Sequence, residues 1–268
     1  MTSDSALPGH TPVPVPAPWQ LLEDASTVLA VHAHPDDESL STGALLTSLV
    51  AAGTRVVLVT ATRGKEGEIV PGSIPAQETR PLEEIREAEI DAATSALGIA
   101  ERHWLGTAPA LAPGAAPRRY RDSGMRWVRE GLAGPSDSAG ADSFSLRPLE
   151  DAVDDLVALL AHVRPDAVIG YDDEGTYGHP DHVRAHHVAV GACARTGVPL
   201  VEIASGGSTD PHIQWREHPG TAEAVHRAVD SYRTQLTVRD TSAEGIAIRH
   251  VGGQDDLVAL RTGLHVRP

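Results

Sequence analysis

The sequence is poor in cysteine, in positive charge and in long hydrophobic runs, and each shortage excludes a class of protein. Its single cysteine, Cys193, cannot form an intramolecular disulfide, and its place in an alanine-rich helical run is typical of a buried structural thiol. The 22 Lys and Arg residues stand against 37 Asp and Glu residues, a formal net charge of −15 that repels phosphate backbones and anionic lipids. We therefore expect neither nucleic acid nor a membrane as a partner.

The N-terminal segment lacks the features of a signal peptide. Residues 1–20 are rich in proline and contain neither an apolar h-region nor a long hydrophobic span. This composition is typical of a flexible tail, which we place at 1–22. The remainder, 23–268, is the size of one large α/β domain. We expect a soluble cytoplasmic protein, either a monomer or a homo-oligomer.

Short β-branched hydrophobic runs alternate with longer amphipathic runs, which is the pattern of βαβ units on a parallel sheet. The predicted strands are 27–31, 55–60, 103–105, 167–171 and 200–203. The predicted helices are 40–52, 76–97, 149–163 and 182–196, and glycines after the second and fourth helices mark their ends. The predicted fold class is α/β, a mostly parallel sheet with helices on both faces.

Two irregular stretches interrupt this alternation. The residues 107–119 and 131–145 are rich in Ala, Pro, Gly and Ser, and they predict long loops around 107–146. Loops of this length inside a compact domain are more often functional or disordered than structural. After residue 206 the pattern weakens to one helix, 221–235, and a late strand around 246–248, which together predict a short C-terminal extension.

Two polar clusters lie where predicted strands end. The first cluster, His-Ala-His-Pro-Asp-Asp-Glu at 32–38, follows strand 27–31, and the second, Tyr-Gly-His-Pro-Asp-His at 177–182, follows strand 167–171. In an open parallel sheet, ligands bind outside the carboxyl ends of the strands, so the two clusters should meet in one crevice. Two His and one Asp form the ligand set of hydrolytic zinc sites that keep a position for water. The sequence therefore predicts a metal site at the C-terminal ends of the strands.

The residue pattern leaves individual roles open. Adjacent Asp36 and Asp37 cannot easily point the same way from an extended loop, so one can ligate a metal while the other faces the bound water as a general base. A single acidic residue here would more simply cap the following helix, and it is the second cluster that favours a metal. His182 and His186, four residues apart on one helix face, could themselves form a metal-binding pair.

The string Ala33-His34-Pro35-Asp36-Asp37-Glu38, followed by His179-Pro180-Asp181-His182, resembles the PIG-L/LmbE family of metal-dependent de-N-acetylases over roughly 28–190. The resemblance implies a Rossmann-like fold and a divalent metal, generally Zn²⁺, with Fe²⁺ or another divalent ion as the alternative. The metal ligands that it implies are His34, Asp37 and His182. It further implies that Asp36 is the catalytic base and that His179 stabilises the tetrahedral intermediate or protonates the leaving amine.

Further residues resemble the actinobacterial branch of mycothiol deacetylases and mycothiol S-conjugate amidases. Arg86 and Asp122 match the arginine and aspartate that contact the sugar in that branch, and Tyr177 matches its mobile active-site tyrosine. The simpler interpretations are a surface arginine and a turn-forming aspartate. Two positions depart from the pattern: Thr42 stands where the branch carries Lys or Asn, and Tyr232 stands where the family often shows His.

Together these features predict a zinc-dependent hydrolase that removes an N-acyl group, such as acetyl, from a glucosamine-containing small molecule. Asp36 would take a proton from water, and His179, oriented by Asp181, would protonate the departing amine, with the hydroxyl of Tyr177 near the oxyanion. The alternatives within the hydrolases are an amidase of a mycothiol S-conjugate and a deacylase of a natural-product amino sugar. A non-catalytic, metal-dependent sugar-binding protein is disfavoured, because Asp36 accompanies every ligand.

Overall fold

The computed structural model describes residues 17–99, 101–129, 132–206 and 208–267. The strands are β1 (Thr27–His32), β2 (Arg55–Thr60), β3 (Glu101–Trp104), β4 (Arg126–Arg129), β5 (Leu132–Gly134), β6 (Ala167–Tyr171), β7 (Leu200–Ile203), β8 (Gln214–Glu217), β9 (Leu236–Thr241), β10 (Gly245–His250), β11 (Asp255–Ala259) and β12 (Arg261–Val266). The helices are α1 (Pro18–Asp24), α2 (Asp37–Ser41), α3 (Gly43–Ala51), α4 (Leu82–Leu97), α5 (Leu149–Val163), α6 (Gly175–Gly178), α7 (Pro180–Thr196) and α8 (Ala222–Asp230). None of the helices in these ranges combines the length and the apolar composition needed to cross a bilayer.

A seven-stranded sheet with the order β3-β2-β1-β6-β7-β12-β8 forms the centre of the molecule. Its first five strands are parallel, and β12 and β8 join one edge in antiparallel orientation. Counted along the chain, the parallel strands have the order 3-2-1-4-5 of doubly wound folds, in which the order reverses between the first and the fourth strand. The prediction of a mostly parallel α/β sheet is confirmed.

Helices cover both faces of this sheet, as predicted. Side chains of a strand point alternately to its two faces, so Val28 and Ala30 of β1 pack into one apolar layer and Leu29 and Val31 into the other. The first layer includes residues of α1, α3, α4 and α8, and the second includes residues of α5 and α7. Because both faces are buried, the central strands are nearly continuous hydrophobic runs.

Three helix predictions need correction, and the simplest concerns 221–235: α8 ends at Asp230, and a turn follows it. The predicted helix 40–52 is two helices, because the backbone leaves the helical region at Thr42, with φ −131° and ψ 0°. The hydroxyl of Thr42 donates to the carbonyl of Glu38, which stabilises this break. The predicted helix 76–97 begins later, at Leu82, because a helix continuing through Pro81 would lose a backbone hydrogen bond.

The predicted ends of the domain also need correction. Residues 1–16 of the predicted tail lie outside the described residues, but its last part belongs to α1, which buries Trp19 and Leu22 in the core. High proline content suggested a tail, yet Pro18 stands in the first turn of α1, where no N–H group is required.

The region after residue 206 is more than a short extension. It supplies two strands of the central sheet, β8 and β12, together with α8 and a three-stranded antiparallel sheet in the order β11-β10-β9. Its strands are four to six residues long and partly exposed, so their periodicity is weak in the sequence. Within the predicted long loops of 107–146, β4 and β5 form a two-stranded antiparallel ribbon.

Candidate active site

The site lies at the carboxyl ends of β1 and β6, which pair in parallel at the point where the strand order reverses. The connections that leave neighbouring strands here diverge to opposite faces of the sheet, which opens a crevice between them. Residues 33–38 leave β1 on one side of this crevice, and residues 172–182 leave β6 on the other. The two polar clusters of the sequence are therefore neighbours in space.

Four of the predicted side chains converge in the crevice. One ring nitrogen from each of His34, His179 and His182 lies within 4.8 Å of the others. Asp37 bridges two of them, with Oδ1 at 3.2 Å from Nε2 of His182 and Oδ2 at 3.3 Å from Nδ1 of His34. Two imidazoles with one carboxylate, or three imidazoles, are both ligand sets that zinc accepts. The geometry is compatible with the predicted metal ligands, and it adds His179 as a further candidate ligand.

The electrostatics of His34 favour positive charge in this place. Burial alone would lower the pKa of His34, but its contacts with Asp181 and Asp37 outweigh burial and hold the pKa well above its usual value. A divalent cation among the same side chains would be stabilised by the same two carboxylates. The donor set and its charge therefore fit a divalent metal.

Neighbouring groups that no sequence motif identifies hold His182 in one orientation. Oγ1 of Thr176 lies 3.2 Å from Nδ1 of His182, and the Tyr171 ring stacks on the imidazole with a centroid distance of 4.5 Å and an angle of 8°. Thr176 itself has φ +68° and is held by Ser205, whose Oγ accepts the Thr176 N–H at 2.8 Å. Metal-ligating histidines are typically oriented by such partners. Tyr171 ends the predicted strand beside the cluster, and that adjacency was the only sequence signal for it.

Asp181 contacts a different histidine from the one predicted. Its Oδ2 lies 3.1 Å from Nε2 of His34 and accepts the N–H of Ser123 at 2.8 Å. Its contact with His179 runs through the backbone, where the Asp181 N–H donates to Nδ1 of His179 at 3.2 Å. The N–H groups in the first turn of α7 lack helical partners, and His179, as the N-cap residue, accepts one of them. The carboxylate of Asp181 therefore orients His34.

His179 is suited to stabilise an oxyanion. Burial, and after it the neighbouring His34 and His182, lower the pKa of His179 well below its usual value, so the ring is neutral at pH 7. Because Nδ1 accepts a hydrogen bond, the proton of the neutral ring is on Nε2. A neutral imidazole can donate this hydrogen bond, but it has no second proton to give to an amine. Of the two predicted roles, the geometry favours stabilisation of the intermediate.

Asp36 differs from Asp37 in both backbone and charge. Asp36 has φ 104° and ψ −30°, a conformation that residues with a side chain rarely adopt, whereas Asp37 begins α2. Burial, reinforced by the negative charges of Asp37 and Glu38, raises the pKa of Asp36 well above its usual value. A carboxylate whose pKa is raised holds an abstracted proton more tightly than an ordinary carboxylate does, which suits the predicted role of Asp36.

The predicted sugar-binding residues hold the loop that follows β2. The carboxylate of Asp122 accepts two backbone N–H groups of the loop 64–68, at 3.2 and 2.9 Å. Nη2 of Arg86 donates to two carbonyls of the same loop, at 3.0 and 2.9 Å, while its Nη1 has no hydrogen-bond partner among the described residues. Arg86 is buried. Its positive charge lowers the pKa of nearby Asp36 and so offsets part of the increase that burial causes. The interpretation as a surface arginine is wrong, and sugar contact by either residue stays a prediction.

Tyr177 stands beside the imidazoles and is partly exposed. Its ring meets His179 and His182 edge to face, with centroid distances of 5.9 and 5.7 Å. The backbone of α6 is non-helical at Thr176 and Tyr177, so this segment is a kinked turn. The structure places Tyr177 next to the predicted ligands, and its catalytic role stays a prediction.

Known proteins are similar in sequence to the part of this chain that contains the site. A sequence model of the PIG-L family, described as GlcNAc-PI de-N-acetylase, matches residues 29–193. A protein of Nocardioides sp. named 1D-myo-inositol 2-acetamido-2-deoxy-alpha-D-glucopyranoside deacetylase is 40% identical over 192 residues, covering 70% of this chain and 61% of the relative. Proteins of the same name from Kribbella flavida and Catenulispora acidiphila are 39% and 33% identical, over 73% and 98% of this chain and over 63% and 76% of the relatives. The chain thus spans 61% and 63% of the length of the Nocardioides and Kribbella proteins.

Solved structures share the fold at low sequence identity. The N,N'-diacetylchitobiose deacetylase of Pyrococcus horikoshii matches with a TM-score of 0.57 and 20% identity, over 80% of this chain and 72% of that one. The zinc-inhibited form of teicoplanin deacetylase Orf2 matches with a TM-score of 0.53 and 20% identity, over 77% and 84% of the two chains. At this level of identity the likeness concerns the fold.

Proposed function

The chain belongs to the PIG-L family, and from this premise we propose that it is a metal-dependent hydrolase that removes an N-acyl group, in particular acetyl, from a glucosamine-containing small molecule. The observation that carries this proposal is the convergence of His34, Asp37 and His182, with Asp36 beside them, at the carboxyl ends of β1 and β6. The names of the relatives support the substrate class, because each describes a 2-acetamido sugar attached to inositol.

We propose His34, Asp37 and His182 as the ligands of the metal, with Zn²⁺ as the preferred ion and Fe²⁺ as the alternative. Imidazole and carboxylate ligands suit both ions. When bound, such an ion polarises an amide carbonyl and lowers the pKa of a coordinated water from about 16 to about 7. Asp181 and Thr176 support this set, because they orient His34 and His182.

The side chains of the site divide the remaining chemistry between them. Asp36, with its raised pKa, takes the proton of the attacking water. Nε2–H of His179 donates to the carbonyl oxygen as negative charge develops on it, and one such donor contributes about 2.7–4 kcal/mol in comparable sites. Because His179 is neutral, the protonated carboxyl of Asp36 is the group that can return a proton to the leaving amine.

Substrate binding involves the loop 64–68 and the residues that hold it. Nη1 of Arg86 has no hydrogen-bond partner among the described residues but is buried under the loop 64–68, so it would reach a sugar hydroxyl only when this loop moves. Each carboxylate oxygen of Asp122 has a further lone pair. Thr42 does not separate the deacetylase from the S-conjugate amidase, because it is neither the Lys nor the Asn of those branches; its hydroxyl lies 2.9 Å from Nε2 of His32. We favour the deacetylase, since the relatives named above are deacetylases of an acetamido sugar.

A substrate panel with metal analysis tests the proposal. We expect the protein to release acetate from N-acetylglucosaminyl-inositol faster than from N-acetylglucosamine, and to be slow on a mycothiol S-conjugate and a simple acetamide. Arg86→Ala should raise KM or lower kcat/KM for the sugar amides without loss of metal. Equal rates on the simple acetamide, unchanged by Arg86→Ala, would refute the sugar assignment and leave the hydrolase assignment intact.

The metal site is tested by elemental analysis. We expect about one divalent ion per chain in the wild type and little in His34→Ala/His182→Ala, because two ligands are lost. The control is His212→Ala/His226→Ala, which removes two histidines outside the site and should retain the ion. The same substoichiometric metal in all three proteins would refute the ligand assignment.

A further inference from the structure

The turn that follows α8, residues 231–235, contacts the segment that carries Asp36. The hydroxyl of Tyr232, a fully buried residue, donates to Oε1 of Glu38 at 2.6 Å. Three residues further on, Nε2 of Gln235 donates to the carbonyl of Pro35 at 3.0 Å. The C-terminal third of the chain thus supplies one hydrogen bond to the loop after β1 and one to α2, which follows that loop.

Glu38 transmits the first of these contacts to Asp36. It is completely buried, and its Oε2 accepts the backbone N–H of Asp36 at 3.3 Å. Oε1, besides the Tyr232 hydroxyl, accepts the hydroxyl of Ser39 at 2.5 Å. A buried carboxylate is tolerated only when such donors surround it, so its position is fixed by all three.

Both contacts end on a single peptide group. The carbonyl of Pro35 and the N–H of Asp36 are the two polar atoms of the Pro35–Asp36 peptide, and they are held by Gln235 and by Glu38. Rotation about φ of Asp36 would turn this peptide relative to the Asp36 side chain. That φ is 104°, a value that persists only where the surroundings enforce it.

The turn can act as a support because it is anchored elsewhere. The N–H and the hydroxyl of Thr234 donate to the two carboxylate oxygens of Glu89 on α4, at 2.8 and 2.7 Å. The carbonyl of Thr234 accepts the N–H of Val70 at 2.9 Å. The turn is therefore fixed independently of the loop that it contacts.

We propose that Tyr232, Glu38 and Gln235 are positioning residues that lock the Pro35–Asp36 peptide and so hold the Asp36 carboxylate in the orientation that takes a proton from water. This role rests on the proposed function for its chemistry. Tyr232 stands where the resemblance led us to expect a histidine, and its hydroxyl supplies the donor that Glu38 requires.

The substitution Tyr232→Phe tests the role, because it removes only the hydroxyl. We expect kcat on the best sugar amide to fall about 10- to 100-fold, since a small displacement of a catalytic group has this effect, while KM and metal content stay unchanged. Gln235→Met is a second variant, which removes the hydrogen bond to the Pro35 carbonyl. It too should lower kcat and leave KM unchanged.

The matched control is Tyr120→Phe. The Tyr120 hydroxyl is also buried and donates to a carboxylate, Oδ2 of Asp155 at 2.7 Å, but the pair joins the loop before residue 121 to α5. We expect a comparable loss of thermal stability in both tyrosine variants and a loss of kcat in Tyr232→Phe alone. An equal fall of kcat in the two variants would show a general effect of stability and overturn the proposal.

Hydrogen exchange supplies a readout that does not depend on activity. Amides in peptides covering 34–41 should exchange faster in Tyr232→Phe and Gln235→Met than in wild type. In Tyr120→Phe their exchange rates should equal those of wild type. Unchanged exchange there, together with kcat within twofold of wild type, would refute the positioning role. A wild-type protein inactive on every amide would refute the proposed function, and the exchange measurement would still decide whether this turn holds the loop.

Discussion

Two adjacent carboxylates in this site have pKa values that shift in opposite directions. Burial alone would raise the pKa of Asp37, but its contacts with His182 and His34 outweigh burial and hold the pKa well below its usual range. In Asp36, burial and the negative charges of Asp37 and Glu38 act together and raise the pKa. These opposite shifts fit the proposed division between a charged ligand, Asp37, and an acid–base catalyst, Asp36.

The substitution Asp36→Asn tests this division. We expect kcat to fall by about 10²- to 10⁴-fold, because the amide cannot accept the proton of water, while the metal content stays at the wild-type level. Asp37→Asn, the matched control on the neighbouring residue, should lose metal as well as activity. Near-normal kcat in Asp36→Asn with the metal bound would place the base elsewhere.

The sequence was sufficient to predict which side chains converge, but not how they are held. His34 and His182 were placed together because both clusters follow parallel strands, and the topology of the sheet then fixes their proximity. The contact of Asp181 with His34 and that of Thr176 with His182 depend on the conformations of two loops, which no local pattern encodes. The pairing of Glu38 with Tyr232 joins residues 194 positions apart, beyond the reach of any periodicity.

At the scale of elements, the junction of β7, α7 and β12 contains a buried carboxylate. Oε1 of Glu202 on β7 lies 3.1 Å from Nη1 of Arg267 and 3.3 Å from Nδ1 of His186 on α7, and its Oε2 lies 3.4 Å from Nε2 of His265 on β12. Burial raises the pKa of Glu202 to about 7, against the lowering effect of Arg267 and with the help of the nearby Asp173. The ionised form is therefore disfavoured in the folded protein.

Glu202 should make stability depend on pH. The pKa of Glu202 is raised on folding. Its contribution to the free energy of unfolding is therefore fully present below the pKa of the unfolded chain, near 4.5, and is lost as the pH rises through about 7. Between these pH values the free energy of unfolding of wild type should decline with rising pH, and in Glu202→Gln it should decline less. We expect the two declines to differ by an amount on the order of 1–3 kcal/mol. Urea titrations at several pH values check this, with exposed Glu217→Gln as the control. Parallel curves for Glu202→Gln and wild type would contradict the assignment.

The elements themselves were predictable to different degrees. The buried parallel strands, such as β2 and β6, were predicted to the residue because continuous hydrophobic runs bounded by turns have few other interpretations. The strands β8 and β12 were missed because neither is a continuous buried hydrophobic run: β8 is exposed along its whole length, and β12 is buried only at its second to fourth residues. Their place in the sheet follows from pairing with β7, which the sequence does not show.

At the scale of the whole molecule, helix α1 packs against the edge strand β8, which is distant from it in the sequence. Nε1 of Trp19 in α1 donates to the carbonyl of Gln214 on β8 at 2.9 Å. The guanidinium of Arg216, also on β8, lies 4.3 Å from the centre of the Trp19 ring. α1 thus covers the antiparallel edge of the central sheet.

We expect Trp19→Ala to lower the free energy of unfolding by about 3–5 kcal/mol, because it removes a large buried ring and one hydrogen bond. Urea denaturation measures this. Trp215→Ala on the same edge is the control, and it should cost less than about 1 kcal/mol because Trp215 is 42% exposed. Metal content and kcat of Trp19→Ala should match wild type at temperatures where it remains folded. A loss of metal would show that this edge and the site are coupled.

The backbone at Asp36 has a consequence for how this sequence can vary. Its φ of 104° and ψ of −30° suit glycine, so selection for stability alone would favour Gly at this position. We expect Asp36→Gly to raise the melting temperature by a few degrees while abolishing turnover, since it relieves both backbone strain and repulsion from two neighbouring carboxylates. A lower melting temperature would show that the surroundings fully compensate the strain. An aspartate retained in a conformation suited to glycine is the mark of a trade-off between stability and activity.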